Sequence, residues 1–334
     1  MHSWFLYIFI RLLVKLNIFS KYIRSVISSY FINNITRPFD IQRLTSVFIG
    51  AKVFSNYSAI CKKEIKIIEI RDLKNRQIDN SILILNNNDF TDESCYLSVS
   101  EMKKSASNLC IIIWDFDNHH SLVNSLRLLS LSNVYFAAHQ HNFEFLRRAS
   151  SSYYGVLPPA VIQWSKDFLL NSTSSLLSVS RSNELFGPHV YYQNFSNRNK
   201  IIELVSKKFP RVGFTNLTYH NRSHEDRFAE WSHFKTHFIS PVDHDLPIRL
   251  FDALVTGGIP LVPIKMKSLL HTLSLDRFVV FYDECDLTLL QLKVDQAIIK
   301  FEQDGTDGMF ERINYVLDRH HIDSRIKFLI DFRQ

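Results

Sequence analysis

From residue 33 onward the chain alternates short apolar runs with stretches of helical periodicity, the pattern of a parallel-sheet α/β protein. Strands are predicted at Ile65 to Ile70, Ser81 to Leu85, Leu109 to Trp114 and Val134 to Ala138. The run LCIIIWDFDNHH is the clearest. A continuous apolar segment that ends in a polar cluster is how a buried parallel strand delivers side chains to the carboxyl edge of its sheet. HSLVNSLRLLSL then has helical spacing, and VYFAAHQHNFEFL repeats the order of strand, polar loop and helix.

Periodicity stops between Ala149 and Trp164, where Ser150, Ser151, Ser152, Gly155, Pro158 and Pro159 mark a linker between two domains. Beyond it, Leu176 to Ser180 is predicted as the first strand of a second domain. RSNELFGPHVYYQNFSNRN follows as a loop, KIIELVSKKF as a helix and PRVGFTNLT as another strand. The expected division is 1–32, 33–160 and 161–334, and 334 residues suffice for two α/β domains.

Residues 4–32 are apolar but interrupted by Arg11, Lys15, Lys21 and Arg24, so no spanning run of about 20 apolar residues exists. With Trp4, Ile8, Leu12 and Phe19 on the other side, the segment reads as an amphipathic helix, either on a membrane surface or on the protein's own core. Basic residues lie inside the apolar run, and no small-residue cleavage site follows it. These features oppose a secretory signal and predict a cytoplasmic protein, peripheral on the membrane at most. Cys61, Cys95, Cys110 and Cys285 are too scattered for a disulfide scaffold or zinc site, which agrees with a reducing compartment. The net charge of +6 predicts an anionic partner. Nucleic acid is not expected, because no basic stripe with interleaved aromatics and no helix-turn-helix, RNP or zinc-finger pattern occurs.

Phe234 to Lys265 carries the most chemistry. A short strand (THFIS) leads into a polar loop, Pro241 to Asp245, and then a helix with Pro247 at its start and Gly257–Gly258 at its end; a second strand (IPLVPI) follows. The amino end of such a helix faces the sheet's carboxyl edge, where free N–H groups and the helix dipole favour an anion. Arg249 in the first turn can add a phosphate contact, and Asp252 one turn later can accept ribose hydroxyls. The bland reading of the two is an i, i+3 surface ion pair.

The same segment resembles the donor-site signature of two-Rossmann-domain (GT-B) glycosyltransferases, R-x-x-E-A-L-x-x-G-x-I/V-P-V. It is especially similar to exostosin-type and CgeB-like members, in which an F-x-x-x-P strand precedes it. Phe238, Pro241, Arg249, Asp252, Ala253, Leu254, Gly257, Ile259, Pro260 and Val262 match, with Asp252 where the family usually has Glu. Ser180 to Val205 resembles the first strand of the same families' donor domain with its following loop and helix, with Arg181 where the strand ends and His189 in the loop expected to face the cleft. The resemblance implies two Rossmann-like domains facing across a cleft. It also implies a nucleotide-sugar substrate, no required metal or other cofactor, and a glycan or glycolipid acceptor.

The expected donor-binding set is Arg181, His189, Lys235, His244, Arg249 and Asp252. A base near the acceptor hydroxyl is sought among Asp115, Asp117, His119 and His120, although Asp117 and Asn118 have the alternative of capping the next helix. His139 and His141 follow another strand on the same side. His237 is divided between packing and site, and His224, Glu225 and Asp226 read as the acidic start of a helix. The expected activity is sugar transfer onto a cell-surface polysaccharide, lipopolysaccharide or lipid-linked glycan. The competing readings are a non-catalytic glycan- or membrane-binding protein of the same fold, or another enzyme of that fold such as a CMP-sugar (Kdo-like) transferase or a sugar-nucleotide epimerase.

Overall fold

A computed structural model describes residues 44–54, 65–76, 78–118, 121–215, 222–243 and 245–331. The amphipathic segment 4–32, His119, His120 and His244 lie outside them. Within the described residues the chain divides into two compact units, with the boundary between Leu157 and Pro158. No described helix is long and apolar enough to cross a membrane.

In the N-terminal unit, β1 (Ser46–Gly50), β2 (Ile65–Ile68), β3 (Ser81–Asn86), β4 (Leu109–Asp115), β5 (Val134–Ala137) and β6 (Tyr153–Val156) form one parallel sheet ordered β2-β1-β3-β4-β5-β6. Helices α1 (Glu93–Ser105), α2 (Leu122–Leu131) and α3 (Phe143–Ala149) connect its later strands. Every residue of β4 is buried, as a continuous apolar run requires when both faces are covered. Leu83, Leu85, Ile111 and Ile113 meet Cys95, Val99 and Met102 of α1 and Leu128 of α2 in one layer of core.

The C-terminal unit contains α4 (Lys166–Ser178), β7 (Ser182–His189), α5 (Ser196–Ser206), β8 (Val212–Phe214), α6 (His224–Ser232), β9 (Phe234–Phe238), α7 (Ile248–Val255), β10 (Ile259–Pro263), α8 (Lys267–Thr272), β11 (Val280–Tyr282), α9 (Leu290–Arg319) and α10 (Ile322–Asp331). Its sheet is also parallel, ordered β11-β10-β9-β7-β8. Leu185 and Phe186, and likewise Leu261 and Val262, fall in different core layers because neighbouring strand residues point to opposite faces. Counted from its own first strand, this sheet runs 2-1-3-4-5. The order reverses between β7 and β9, and the carboxyl ends there form the crevice where such sheets bind ligands.

The strand expected at Leu176 to Ser180 is corrected. Those residues close α4, whose Leu169 and Leu176 are two turns apart and both buried, and β7 begins at Ser182 inside the expected loop. Its first residues, Ser182 to Glu184, are polar and largely exposed, which hides the strand from an apolar pattern.

Helix α7 ends as its glycines predict. Gly257 takes φ +81°, and Gly257 and Gly258 donate to Leu254 and Ala253 at 2.9 Å, returning the chain into β10. A Cβ on Gly258 would lie 2.4 Å from the His237 ring, which is stacked on Trp231 with centroids 5.1 Å apart. That stack makes His237 a core residue. Gly258→Ala is therefore expected to destabilise the protein by about 1–3 kcal/mol, as overpacking does. At Gly155 a Cβ meets nothing within 4 Å, so Gly155→Ala serves as the near-neutral control. Denaturant unfolding of both variants checks this; equal midpoints would show that His237 can yield.

Candidate functional site

The site grows from the turns that follow β7, β9, β10 and β11. Pro247 opens α7 with φ −74° and leaves Arg249 in its first turn, half-buried at the carboxyl edge. Arg198, in the first turn of α5, is almost fully buried. Its Nε donates to the Ser240 carbonyl at 3.0 Å and its Nη1 to the Val190 carbonyl at 2.8 Å, joining the turn after β7 to the turn after β9 across the switch point. The third nitrogen, Nη2, lies 3.4 Å from Nδ1 of His189, the last residue of β7. A guanidinium only donates, so the imidazole accepts there and is neutral. Burial first, then the charges of Arg249 and Arg198, push the His189 pKa well below its usual value.

Arg198, Ser240, Pro241, Asp243, Lys265 and Glu284 border a cavity of about 220 Å³, and Lys265 pairs with Glu284 at 2.7 Å. Asp245 shapes the loop: its Oδ1 accepts from the Val242 N–H at 2.6 Å, while Asp243 adopts a left-handed φ of 52°. Burial pushes the Asp245 pKa up to about 7, with Arg198 opposing the rise. Asp252, one turn after Arg249, is fully buried. Its Oδ2 accepts from Gln163 Nε2 at 2.6 Å, whereas Oδ1 has no partner among the described residues. Burial drives its pKa up to about 7 against the pull of Arg249, Gln163 and Arg227.

The structure therefore brings together His189, Arg249 and Asp252 of the expected donor set. It places Arg181 and Lys235 elsewhere. Arg181 precedes β7 at the amino edge of the sheet, and its Nη2 donates to the Thr256 carbonyl at 2.8 Å, at the carboxyl end of α7. Arg249 sits at the other end of that helix. Lys235 is the second residue of β9, at the amino edge as well, and pairs with Glu302. The displaced strand explains Arg181: a β-strand that started at Leu176 would have carried it to the carboxyl edge. Arg198, Lys265, Glu284 and Gln163 were missed. A cation in the first turn of the helix that follows a strand is the readable signal for Arg198, concealed because that strand begins with the polar residues Ser182 to Glu184. Glu225 and Asp226 form the acidic first turn of α6, and Ser223 caps it by accepting from the Asp226 N–H at 3.0 Å.

In the N-terminal unit a cavity of about 360 Å³ opens beside the carboxyl ends of β3 and β4, bordered by Asn87, Asn88, Asp115, Asp117, Ser121 and Asn124. The two aspartates differ. Asp115 is buried, with Oδ2 accepting from Ser125 and Tyr135 hydroxyls at 2.6 Å each and Oδ1 from the Asp117 N–H at 2.9 Å. Burial raises its pKa, and its acceptor positions are filled from within the fold. Asp117 is half-buried, and its Oδ2 accepts from Asn87 Nδ2 at 2.6 Å. The Asn118 side chain turns to the next loop: its amide accepts from the His139 N–H at 2.9 Å and donates to the carbonyls of His139 (2.9 Å) and His141 (2.8 Å). Among the described residues no group of His, Cys, Asp or Glu is arranged to hold a metal ion.

No protein-family model matches the chain, and no curated protein matches it. Among solved structures it is similar to sucrose-phosphate synthase from Thermosynechococcus elongatus (TM-score 0.49, 9% identity), covering 75% of this chain and 73% of that one. It is also similar to the catalytic domain of starch synthase IV from Arabidopsis thaliana bound to ADP and acarbose (TM-score 0.41, 10% identity), covering 75% and 72%. Both TM-scores fall below 0.5, a level at which neither neighbour's chemistry transfers to this chain.

Asp252 supplies a pH test. Folded, its carboxyl holds a proton up to about pH 7; its unshifted value is 3.8. Between those values the folded form is protonated and the unfolded form is not, so raising the pH lowers the stability of the wild type. Asp252→Asn does not titrate. Relative to wild type it should gain stability as pH rises from 4 to 7, by at most about 1.4 kcal/mol per pH unit, and level off above that. Melting curves across the range check this; a constant difference would mean that Asp252 is ionised in the folded protein throughout.

Proposed function

We propose that this chain is a nucleotide-sugar-dependent glycosyltransferase of GT-B type whose donor is held by the C-terminal unit. The observation that carries the reading is the amino end of α7. It opens at the carboxyl edge of a 2-1-3-4-5 sheet, beside the switch point, with Arg249 in its first turn and Asp252 one turn below. Free N–H groups, the helix dipole and a guanidinium suit a diphosphate, and a carboxyl group with one unpartnered oxygen suits a ribose hydroxyl. In transfer, an acceptor hydroxyl oxygen bonds to the anomeric carbon as the bond to the donor phosphate breaks. The electron pair leaves with the nucleoside diphosphate, where Arg249 offsets the growing charge. The acceptor's proton passes to Asp117, a half-buried carboxylate that borders the N-terminal cavity.

The matches at Phe238, Pro241, Arg249, Ala253, Leu254, Gly257, Ile259, Pro260 and Val262 favour the exostosin-type and CgeB-like branch, and the acceptor we propose is a cell-surface polysaccharide, lipopolysaccharide or lipid-linked glycan. An amphipathic segment at 4–32 fits an enzyme working beside a membrane.

Arg249→Ala should weaken nucleotide-sugar binding roughly ten- to a hundredfold, the equivalent of about 1.5–3 kcal/mol for a charge-assisted contact, with little change in melting temperature. Asp117→Asn should abolish transfer and leave donor binding intact. Saturation-transfer NMR with UDP, GDP, dTDP and CMP sugars reads the first, and product formation reads the second. Normal donor binding by an Arg249→Ala protein that melts much earlier would make the arginine a structural partner and end the donor assignment.

A further inference from the structure

Gln163 belongs to no motif, yet the fold anchors the chain on both sides of it. Val161, two residues before it, donates its N–H to the His320 carbonyl at 2.8 Å and accepts from the Ile322 N–H at 3.1 Å. Trp164, immediately after it, is buried edge-on to Phe228, and its indole N–H donates to the His224 carbonyl at 2.9 Å. With both flanks anchored, the Gln163 side chain sits between α6 and α7. Arg227 Nη1 of α6 donates to its Oε1 at 2.8 Å, and its Nε2 donates to Asp252 Oδ2 of α7 at 2.6 Å.

The direction of this chain of bonds is forced. Because the guanidinium has no acceptor, the amide oxygen must face Arg227 and the amide nitrogen must face Asp252. Asp252 Oδ2 is thereby occupied, and Oδ1, buried and without a partner among the described residues, is the atom left for a ligand. A carboxyl group is otherwise free to exchange its two oxygens by rotation about a broad, roughly two-fold torsion.

We infer that Gln163, braced by Arg227, is a positioning residue for nucleoside recognition: it pins one oxygen of Asp252 so that the other meets a ribose hydroxyl of the donor. The inference rests on the nucleotide-sugar reading and adds to it a residue 89 positions away from the carboxyl it orients. Gln163 acts through Asp252 and has no role at the phosphates. Its loss should therefore change discrimination at the sugar ring and leave discrimination by phosphate number alone.

The test is calorimetric titration of UDP, ADP, GDP and CDP, their 2′,3′-dideoxy counterparts and the matching monophosphates. Wild type should prefer a ribonucleotide over its dideoxy counterpart by on the order of tenfold, the range of leaving a buried polar group without its hydrogen-bond partner. Gln163→Met, close in shape but without the amide, should reduce that preference to within about twofold and keep the diphosphate-to-monophosphate ratio. Arg227→Met, which releases Gln163 from its other side, should do the same and stands in if Gln163→Met does not fold. A folded Gln163→Met protein with the wild-type ribose preference overturns the inference and leaves the nucleotide site standing. Wild-type binding without ribose preference overturns it together with the Asp252 assignment, and wild-type failure to bind any of the four diphosphates removes the nucleotide-sugar reading itself.

Discussion

Two guanidinium groups hold the carboxyl end of α7, and the candidate site at its other end depends on that grip. Arg181 donates to the Thr256 carbonyl at 2.8 Å and Arg312 to the Gly257 carbonyl at 3.0 Å, where a helix carries its partial negative charge. Arg312 is fully buried and is balanced by Asp304 at 2.6 Å. With Leu250 to Val255 buried in the core, α7 can neither slide nor roll, so its amino end is a fixed platform for Arg249 and Asp252. Arg198 gives that platform its second wall by joining the turns after β7 and β9.

The two units use the same strand order to different ends. At the switch point of the N-terminal sheet, between β1 and β3, the chain supplies its own anion: Asp89 accepts from the N–H groups of Lys52 at 3.0 Å and Asn86 at 2.8 Å. Gly50 makes room for it, since a Cβ there would fall 2.0 Å from the carboxylate. Burial pushes the Asp89 pKa up to about 6. At the corresponding place in the C-terminal unit stand Arg198, Arg249 and a neutral His189. One crevice is filled by a side-chain carboxyl group, and the other is lined by cations that an external anion would satisfy.

Local rules made some of this legible in the sequence. Pro247 and Gly257 bracket α7, and LCIIIWD announces β4, because each feature is decided within a few residues. β7 was hidden because Ser182 to Glu184 are polar, and Arg181 was carried to the wrong edge of the sheet with the misplaced strand. Asp115 and Asp117, two residues apart, cannot be told apart by pattern; Ser125 and Tyr135 saturate one of them and Asn87 braces the other. The Arg227–Gln163–Asp252 chain joins residues 64 and 89 positions apart, a relation that only tertiary packing creates.

The central claim, that a nucleoside diphosphate seats at the amino end of α7, is tested most directly by hydrogen–deuterium exchange of the full chain with and without saturating UDP, ADP, GDP or CDP. Slowed exchange in the peptides spanning residues 238–251 and 189–198, with the N-terminal unit unchanged, is the expected result. Protection confined to residues 86–124, or none with any of the four, would contradict it.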